Sequence, residues 1–144
     1  MATTILLVDD EEGFVQTMAK RLVKREMNVF KAYDGQEALD TLSKNTTIDV
    51  VVLDVKMPGM DGVETLKAIK RDYPLAEVIM LTGHATVESA IDGMKMGAFD
   101  YLMKPCDIEQ LLTKISEAKR KKLQQEEKII DAQMREITSR QSWD

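Results

Sequence analysis

The run Val50-Val51-Val52-Leu53 is apolar throughout and rich in β-branched residues. Such a run predicts a strand that is buried on both faces, as in a parallel sheet covered by helices. The run ends on Asp54, and Pro58-Gly59 then turns the chain. A carboxylate at the carboxyl end of a buried strand stands where open α/β sheets bind ligands. By itself, Asp54 is explained equally well as a loop cap or as part of a site.

Similar apolar runs alternate with segments of helical periodicity along the chain. The predicted strands cover residues 5–8, 28–33, 49–54, 78–81 and 99–103, and the predicted helices cover about 12–25, 38–42, 61–73, 87–96 and 107 onwards. In the third helix, Asp61 precedes Glu64 by three residues, which is the spacing of a capping box. Five alternating strand–helix pairs predict an α/β fold, a doubly wound five-stranded parallel sheet with helices on both faces.

Composition narrows the class of protein. A chain of 144 residues with 44% hydrophobic and 31% charged residues is typical of a soluble globular domain. The net charge of -5 argues against nucleic-acid binding through bulk charge. The single cysteine, Cys106, excludes an internal disulfide. No apolar run approaches the length of a membrane span, so we expect a cytoplasmic protein without membrane contact.

Polar residues follow four of the predicted strands. Asp9 and Asp10 follow the first, Asp54 the third, Thr82 the fourth and Lys104 the fifth. Parallel strands end at the same edge of a doubly wound sheet, so these residues should converge on one pocket. Several ionised carboxylates in one pocket require a cation, and oxygen ligands select a hard ion such as Mg²⁺. A lysine and a threonine hydroxyl facing them suit a phosphoryl group.

These residues resemble the receiver domain of two-component response regulators, over roughly residues 4–118. The resemblance is carried by the following set: Asp9-Asp10, Asp54, Met57-Pro58-Gly59-Met60-Asp61-Gly62, Thr82-Gly83, Tyr101 and Lys104-Pro105. It implies the flavodoxin-like strand order 2-1-3-4-5. It also implies a signalling switch in a phosphorelay rather than an enzyme acting on a separate substrate.

The resemblance assigns a role to each residue of the set. Asp54 is expected to take a phosphoryl group from the phosphohistidine of a sensor histidine kinase or a phosphotransfer protein, and to lose it slowly by autodephosphorylation. Asp9, Asp10, Asp54 and the backbone carbonyl of Lys56 are the expected Mg²⁺ site, in which Asp9 acts through water or supports Asp10. Lys104 would pair with phosphoryl oxygens, and a cis peptide bond is expected before Pro105. Thr82 and Tyr101 are the expected switch pair. His84, the only histidine, either tunes the phosphoryl lifetime or is an inert loop residue.

Three other functions fit the sequence less well. A hydrolase of the haloacid dehalogenase type would carry an acid two residues after the nucleophile, where this chain has Lys56. A scaffold that never turns over phosphate would not need Asp54, Thr82 and Lys104 together. A nucleotide-binding flavodoxin-like module would need a Gly- or Ser/Thr-rich loop after the first strand.

The segment after Ala118 is too short for a helix-turn-helix domain, so we expect a receiver domain at 1–118 and a helical extension at 119–144. We expect output by protein contact rather than DNA binding by this chain, unless the chain is a fragment. The last helix should continue to about Ile137, since no Pro or Gly interrupts it. The basic run 119–122 is expected to form a solvated helix face. An apolar stripe follows at Leu123, Ile130, Met134 and Ile137. It predicts a docking helix or a homodimer that also uses the face of the fourth helix, fifth strand and last helix; the alternative is a frayed tail.

Overall fold

Strands and helices alternate along the chain of this computed structural model, which describes residues 2–55, 61–83 and 87–141, without the side chains of Val87, Ser89 and Gln141. In chain order, the elements are β1 (Thr4–Val8), α1 (Glu12–Val23), β2 (Asn28–Ala32), α2 (Gly35–Lys44), β3 (Val50–Leu53), α3 (Gly62–Asp72), β4 (Glu77–Thr82), α4 (Val87–Lys95), β5 (Asp100–Met103) and α5 (Ile108–Gln141). None of the helices in these described ranges combines the length and the apolar character needed to cross a membrane.

The five strands form one parallel sheet in the order β2-β1-β3-β4-β5, which confirms the predicted fold. Val8 pairs with Leu53, and Leu53 pairs with Met80, so the carboxyl ends of the three central strands lie level. Every residue of these central strands is buried, whereas the edge strands β2 and β5 are partly exposed. The sheet is therefore covered on both faces, as the continuous apolar runs predicted.

Two hydrophobic clusters lie on opposite faces of the sheet, because successive side chains of a strand alternate between them. In β3, Val50 and Val52 belong to the cluster with α1 and α5, and Val51 and Leu53 belong to the cluster with α2 and α3. Both faces must be apolar to bury the strand, which explains why β3 has no polar alternation.

Several helix ends follow local signals in the sequence. Asp61 caps α3, and its carboxylate accepts a hydrogen bond of 2.8 Å from the Glu64 amide, as the capping-box spacing predicted. Asp34 caps α2 in the same way, where the sequence indicated only a turn. Helix α1 ends at Val23, two residues before the predicted end, and Glu26 then adopts a positive φ of 66°.

Helix α5 is longer than predicted and runs past Ile137 to Gln141. Its middle part is fastened to the amino-terminal edge of the sheet through Asp49, a buried residue directly before β3. The Asp49 carboxylate accepts hydrogen bonds from Lys122 Nζ at 2.8 Å, Lys119 Nζ at 3.1 Å and the Thr4 amide at 2.9 Å.

A second buried acid extends this fastening. Glu77, the first residue of β4, has its carboxylate oxygens 3.5 Å from Lys121 Nζ and 3.8 Å from Lys70 Nζ. The side chains of Lys119 and Lys122 are only 16% and 11% exposed. The prediction that residues 119–122 form a solvated face is therefore wrong for Lys119 and Lys122, which contact the buried Asp49, whereas Arg120 and Lys121 are exposed.

The pKa of Asp49 reflects these contacts. Burial acts to raise it, but the hydrogen bonds from Lys122, the Thr4 amide and Lys119 outweigh burial, so the pKa lies below its ordinary value of 3.8. A depressed pKa in the folded state means that the ionised form of Asp49 stabilises the fold. This contribution is present above the unfolded-state pKa and is lost as the pH falls through the folded-state pKa.

We predict that Asp49→Asn lowers the free energy of unfolding at pH 7 by about 1–3 kcal/mol, because it removes the charge that the two lysines contact. The difference from wild type should shrink as the pH falls below about 4. Denaturant unfolding at several pH values measures it. Asp131→Asn, on an exposed position of α5, is the control and should change little. An Asp49→Asn effect that does not change between pH 7 and pH 3 would contradict the prediction.

Candidate functional site

The predicted site residues follow the strands of one sheet edge, and the backbone ladder holds them there. The Asp54 amide donates to the Val8 carbonyl at 3.0 Å, just beyond β3, and the Lys104 amide donates to the Thr82 carbonyl at 3.0 Å, just beyond β5. Asp9 follows β1 directly and is buried. The predicted convergence of Asp9, Asp54, Thr82 and Lys104 at one edge is therefore seen in the backbone.

Lys104 is the centre of the site. Its ammonium donates to Asp9 Oδ2 in a short contact, lies 3.4 Å from Glu11 Oε1 and lies 4.0 Å from Asp54 Oδ2. The side chains of Asp9 and Asp54 are each 3% exposed, and that of Lys104 is 14% exposed. One lysine thus faces three carboxylates, of which Asp9 and Asp54 are buried and Glu11 is exposed.

The pKa values of Asp9 and Lys104 are both raised. Burial raises the pKa of Asp9, and the charge of Asp54 adds to this, against the lowering effect of the hydrogen bond from Lys104. Burial acts to lower the pKa of Lys104, but the hydrogen bond and charge of Asp9, with Asp54 and Glu11, outweigh it and raise the pKa. Burial is thus the main reason that Asp9 holds its proton more tightly, whereas at Lys104 the surrounding carboxylates outweigh burial.

The carboxylates can hold a metal ion. Oxygen atoms of Asp9, Glu11 and Asp54 all lie within 4.8 Å of one another. A cluster of carboxylate oxygens suits a hard cation such as Mg²⁺, which needs only one or two carboxylates and keeps several waters. The donor set and its excess negative charge therefore fit Mg²⁺.

The composition of this cluster differs from the predicted one at one position. Glu11 belongs to it, whereas Asp10 is exposed. The sequence analysis did not assign Glu11 to the carboxylate cluster. Its position directly after Asp9-Asp10 could have indicated this. Lys56, whose carbonyl was the fourth predicted ligand, lies outside the described residues, so this predicted ligand set stays a prediction.

The predicted switch pair occupies β4 and β5. Thr82 is fully buried at the end of β4, next to the strand that carries Tyr101. The Tyr101 ring is half-buried, and its hydroxyl is enclosed without a hydrogen-bond partner among the residues that the structure describes. A buried hydroxyl without a partner costs free energy, so a rearrangement that gave it one would be favoured.

Gly62 fixes the backbone beneath Asp54, a role that the sequence analysis did not assign. Its amide donates to the Val55 carbonyl at 2.7 Å. A Cβ atom at this position would lie 2.2 Å from the Asp54 carbonyl oxygen, so only glycine permits this approach of α3 to the end of β3.

The remaining predictions about the site divide into two groups. The cis peptide bond between Lys104 and Pro105 is confirmed. His84 and the motif residues 57–60 lie outside the described residues. Their predicted places near the site stay predictions.

Proteins with similar sequences include bacterial response regulators and transcriptional regulators. The chain is 36% identical over 135 residues to an NtrX-like response regulator of Rickettsia conorii, covering 88% of this chain and 28% of the relative. It is 36% identical over 112 residues to the DNA-binding transcriptional regulator NtrC of Klebsiella pneumoniae, covering 78% of this chain and 24% of that protein. The chain thus spans about a quarter of the length of these relatives.

Solved structures and a family model agree with the relatives. A response regulator receiver domain protein from Clostridium thermocellum is 40% identical, with a TM-score of 0.79 over 84% of this chain and 98% of that one. The receiver domain of NtrX from Brucella abortus is 30% identical, with a TM-score of 0.75 over 81% and 98% of the two chains. The beryllofluoride-activated NtrC4 receiver domain, solved as a dimer, is 34% identical, with a TM-score of 0.77 over 83% and 98%. Because the model of the response regulator receiver domain also matches residues 5–116, the chain belongs to the receiver domain family of two-component signalling.

Proposed function

We propose that this receiver domain accepts a phosphoryl group on Asp54 from the phosphohistidine of a sensor histidine kinase or a phosphotransfer protein. The observation that carries the proposal is the buried Asp54 carboxylate, with Lys104 Nζ 4.0 Å away and the acids Asp9 and Glu11 around the same ammonium. We place the exchange in the cytoplasm. The domain division is residues 1–118 for the receiver and 119–144 for the extension.

In the transfer, an Asp54 carboxylate oxygen forms a bond to phosphorus as the bond from phosphorus to the histidine nitrogen breaks. The released imidazole of the partner takes up a proton. Lys104 would leave its contact with Asp9 to meet a phosphoryl oxygen, because a dianionic phosphoryl group attracts an ammonium strongly. The Thr82 hydroxyl would donate a hydrogen bond to another phosphoryl oxygen. Slow hydrolysis of the acyl phosphate would return the domain to its starting state.

Asp9, Asp10, Asp54 and the Lys56 carbonyl are our proposed Mg²⁺ site, with Glu11 as a further acid beside it. When bound, Mg²⁺ supplies positive charge that offsets the carboxylates and the incoming phosphoryl group. This fits the excess of negative charge around Lys104. The domain is thus a switch that assists its own phosphorylation, not an enzyme acting on a separate substrate.

The proposed output is a change of a protein-binding face. Ile91 and Met94 of α4 are 48% and 46% exposed, and Met103 at the end of β5 is 50% exposed. A contiguous exposed apolar patch marks a protein contact, and we propose that these side chains form one. Tyr101 lies on β5 beside this face, so movement of Thr82 towards a phosphoryl group would let the ring turn inward and change the face.

A homodimer is the proposed form of this contact, with the α5 extension adding to it. Leu123, Ile130, Met134 and Ile137 are 48–57% exposed, as the sequence pattern predicted. A structure of an activated relative has been solved as a receiver domain dimer. A coiled coil of so few turns is marginal alone, so the α4–β5–α5 face should contribute. This chain is not proposed to bind nucleic acid or membrane.

We predict that acetyl phosphate and Mg²⁺ add one phosphoryl group to the protein, seen as intact mass, and that Asp54→Asn abolishes the gain because it removes the nucleophile. Removing Mg²⁺ with a chelator should reduce the gain strongly, by at least tenfold in rate. Asp40→Asn, at an exposed position on α2, is the control and should react like wild type. Full-rate phosphorylation of Asp54→Asn would show that another residue is the acceptor.

We predict that Thr82→Ala still accepts phosphate but loses the change on the α4–β5–α5 face, because the switch hydroxyl is absent. NMR shift changes on phosphorylation at Ile91, Met94 and Met103 measure this. Thr4→Ala, a buried threonine at the opposite end of the sheet, is the matched control and should keep the distant shifts. Wild-type distant shifts in Thr82→Ala would exclude Thr82 as the switch.

We predict that the phosphorylated chain sediments as a dimer and that Ile130→Glu makes it monomeric, because a charge enters the apolar stripe. Ile130 is 57% exposed, so the substitution should leave the fold intact. Ala132→Glu, exposed on the opposite side of the same part of α5, is the control and should remain dimeric. A monomeric wild type, before and after phosphorylation, would eliminate the dimer.

A further inference from the structure

An aromatic ring lies against the central cation of the site. Lys104 Nζ is 4.1 Å from the centroid of the Phe14 ring, in addition to its contacts with Asp9, Glu11 and Asp54. A cation at this distance from a ring face is attracted by the ring quadrupole. The sequence analysis assigned Phe14 no role in the site.

The ring is well anchored. Phe14 lies in the first turn of α1, directly after the acidic segment that follows β1. It packs against the core cluster on the α1–α5 side of the sheet. With Leu7, Val52 and Leu81 it also lines a small gap that Asp9 and Asp54 border. A ring held by core packing offers the ammonium a fixed surface.

The carboxylates that attract the Lys104 ammonium lie in different surroundings, some buried and one exposed. Asp9 and Asp54 are buried, whereas the Glu11 side chain is 62% exposed and draws the ammonium towards water. A lysine side chain is flexible and its ammonium is strongly hydrated, so the outward position would compete well. The ring face offsets part of the lost hydration at the buried end.

We propose that Phe14 is a positioning residue: its ring holds the Lys104 ammonium beside the Asp54 carboxylate, ready to meet a phosphoryl oxygen. This inference rests on the proposed function of Asp54. A cation–π contact in partly desolvated surroundings corresponds to roughly a three- to tenfold change in the rate of phosphorylation. The apolar bulk of Phe14 is a separate contribution, made to the core.

The test separates the π-face of the ring from its shape. Phe14 is replaced in the full chain by phenylalanine carrying one, two and three ring fluorines, which keep the shape and progressively weaken the quadrupole. The rate of mass gain from acetyl phosphate with Mg²⁺ is measured, with thermal melts to monitor folding. The same series at Phe30, which packs in the cluster on the other face of the sheet, is the matched control.

A second readout needs no phosphorylation. In the unphosphorylated protein, the ring current should shift the Lys104 side-chain methylene protons next to Nζ upfield, with assignment through Lys104→Arg. Phe14→Leu should return them to the ordinary lysine position, and Phe14→Tyr should restore the shift. A purely structural role of Phe14 would not produce this pattern.

The expected result is a stepwise loss of rate at position 14, three- to tenfold over the series, with less than a twofold change at position 30. If wild type reacts and the series at position 14 is flat, or if position 30 responds equally, the positioning role is overturned while the proposed function stands. Unshifted Lys104 methylene protons in wild type also overturn it. A wild type that gains no phosphate overturns the proposed function and the positioning role together.

Discussion

The contact between one ammonium and several carboxylates is the interaction on which the site depends. Placing Asp9 and Asp54 out of water costs free energy, and Lys104 offsets only part of it. Burial raises the pKa of Asp9, and the surrounding carboxylates raise the pKa of Lys104. The negative charge of the carboxylates is therefore only partly neutralised by Lys104, and the site attracts a further cation. A bound cation would neutralise this charge and so allow an anionic phosphoryl group to approach.

The sheet makes this arrangement possible and rigid. Asp9, Asp54 and Lys104 each follow a strand of the ladder, and Asp54 and Lys104 are still hydrogen-bonded to the neighbouring strand. Hydrogen bonds to the neighbouring strands thus hold their backbones at the end of the sheet. Gly62 adds a second restraint by packing α3 directly on the Asp54 carbonyl. A site built on strand ends holds its geometry better than one built on long loops.

The sequence predicted what depends on local pattern and on parallel topology. Apolar runs located the strands, and the rule that parallel strands end together brought Asp9, Asp54, Thr82 and Lys104 to one edge. The sequence did not predict that Asp49 anchors α5, because its partners Lys119 and Lys122 lie some 70 residues later in the chain. Nor did it predict Glu11 or the contact of Phe14 with Lys104. Both depend on how α1 begins after β1, which periodicity does not describe.

The fastening of α5 to Asp49 and Glu77 has a mechanical consequence. It lies at the sheet edge opposite the site, and α5 runs on from Lys122 to Gln141. That length is about 28 Å, so a rotation of about one degree at the fastening moves the tip by roughly 0.5 Å. If α5 tilts as a rigid rod about this fastening, its far end moves further than its first turn, because about 28 Å of helix lies beyond Lys122 and about 21 Å before it.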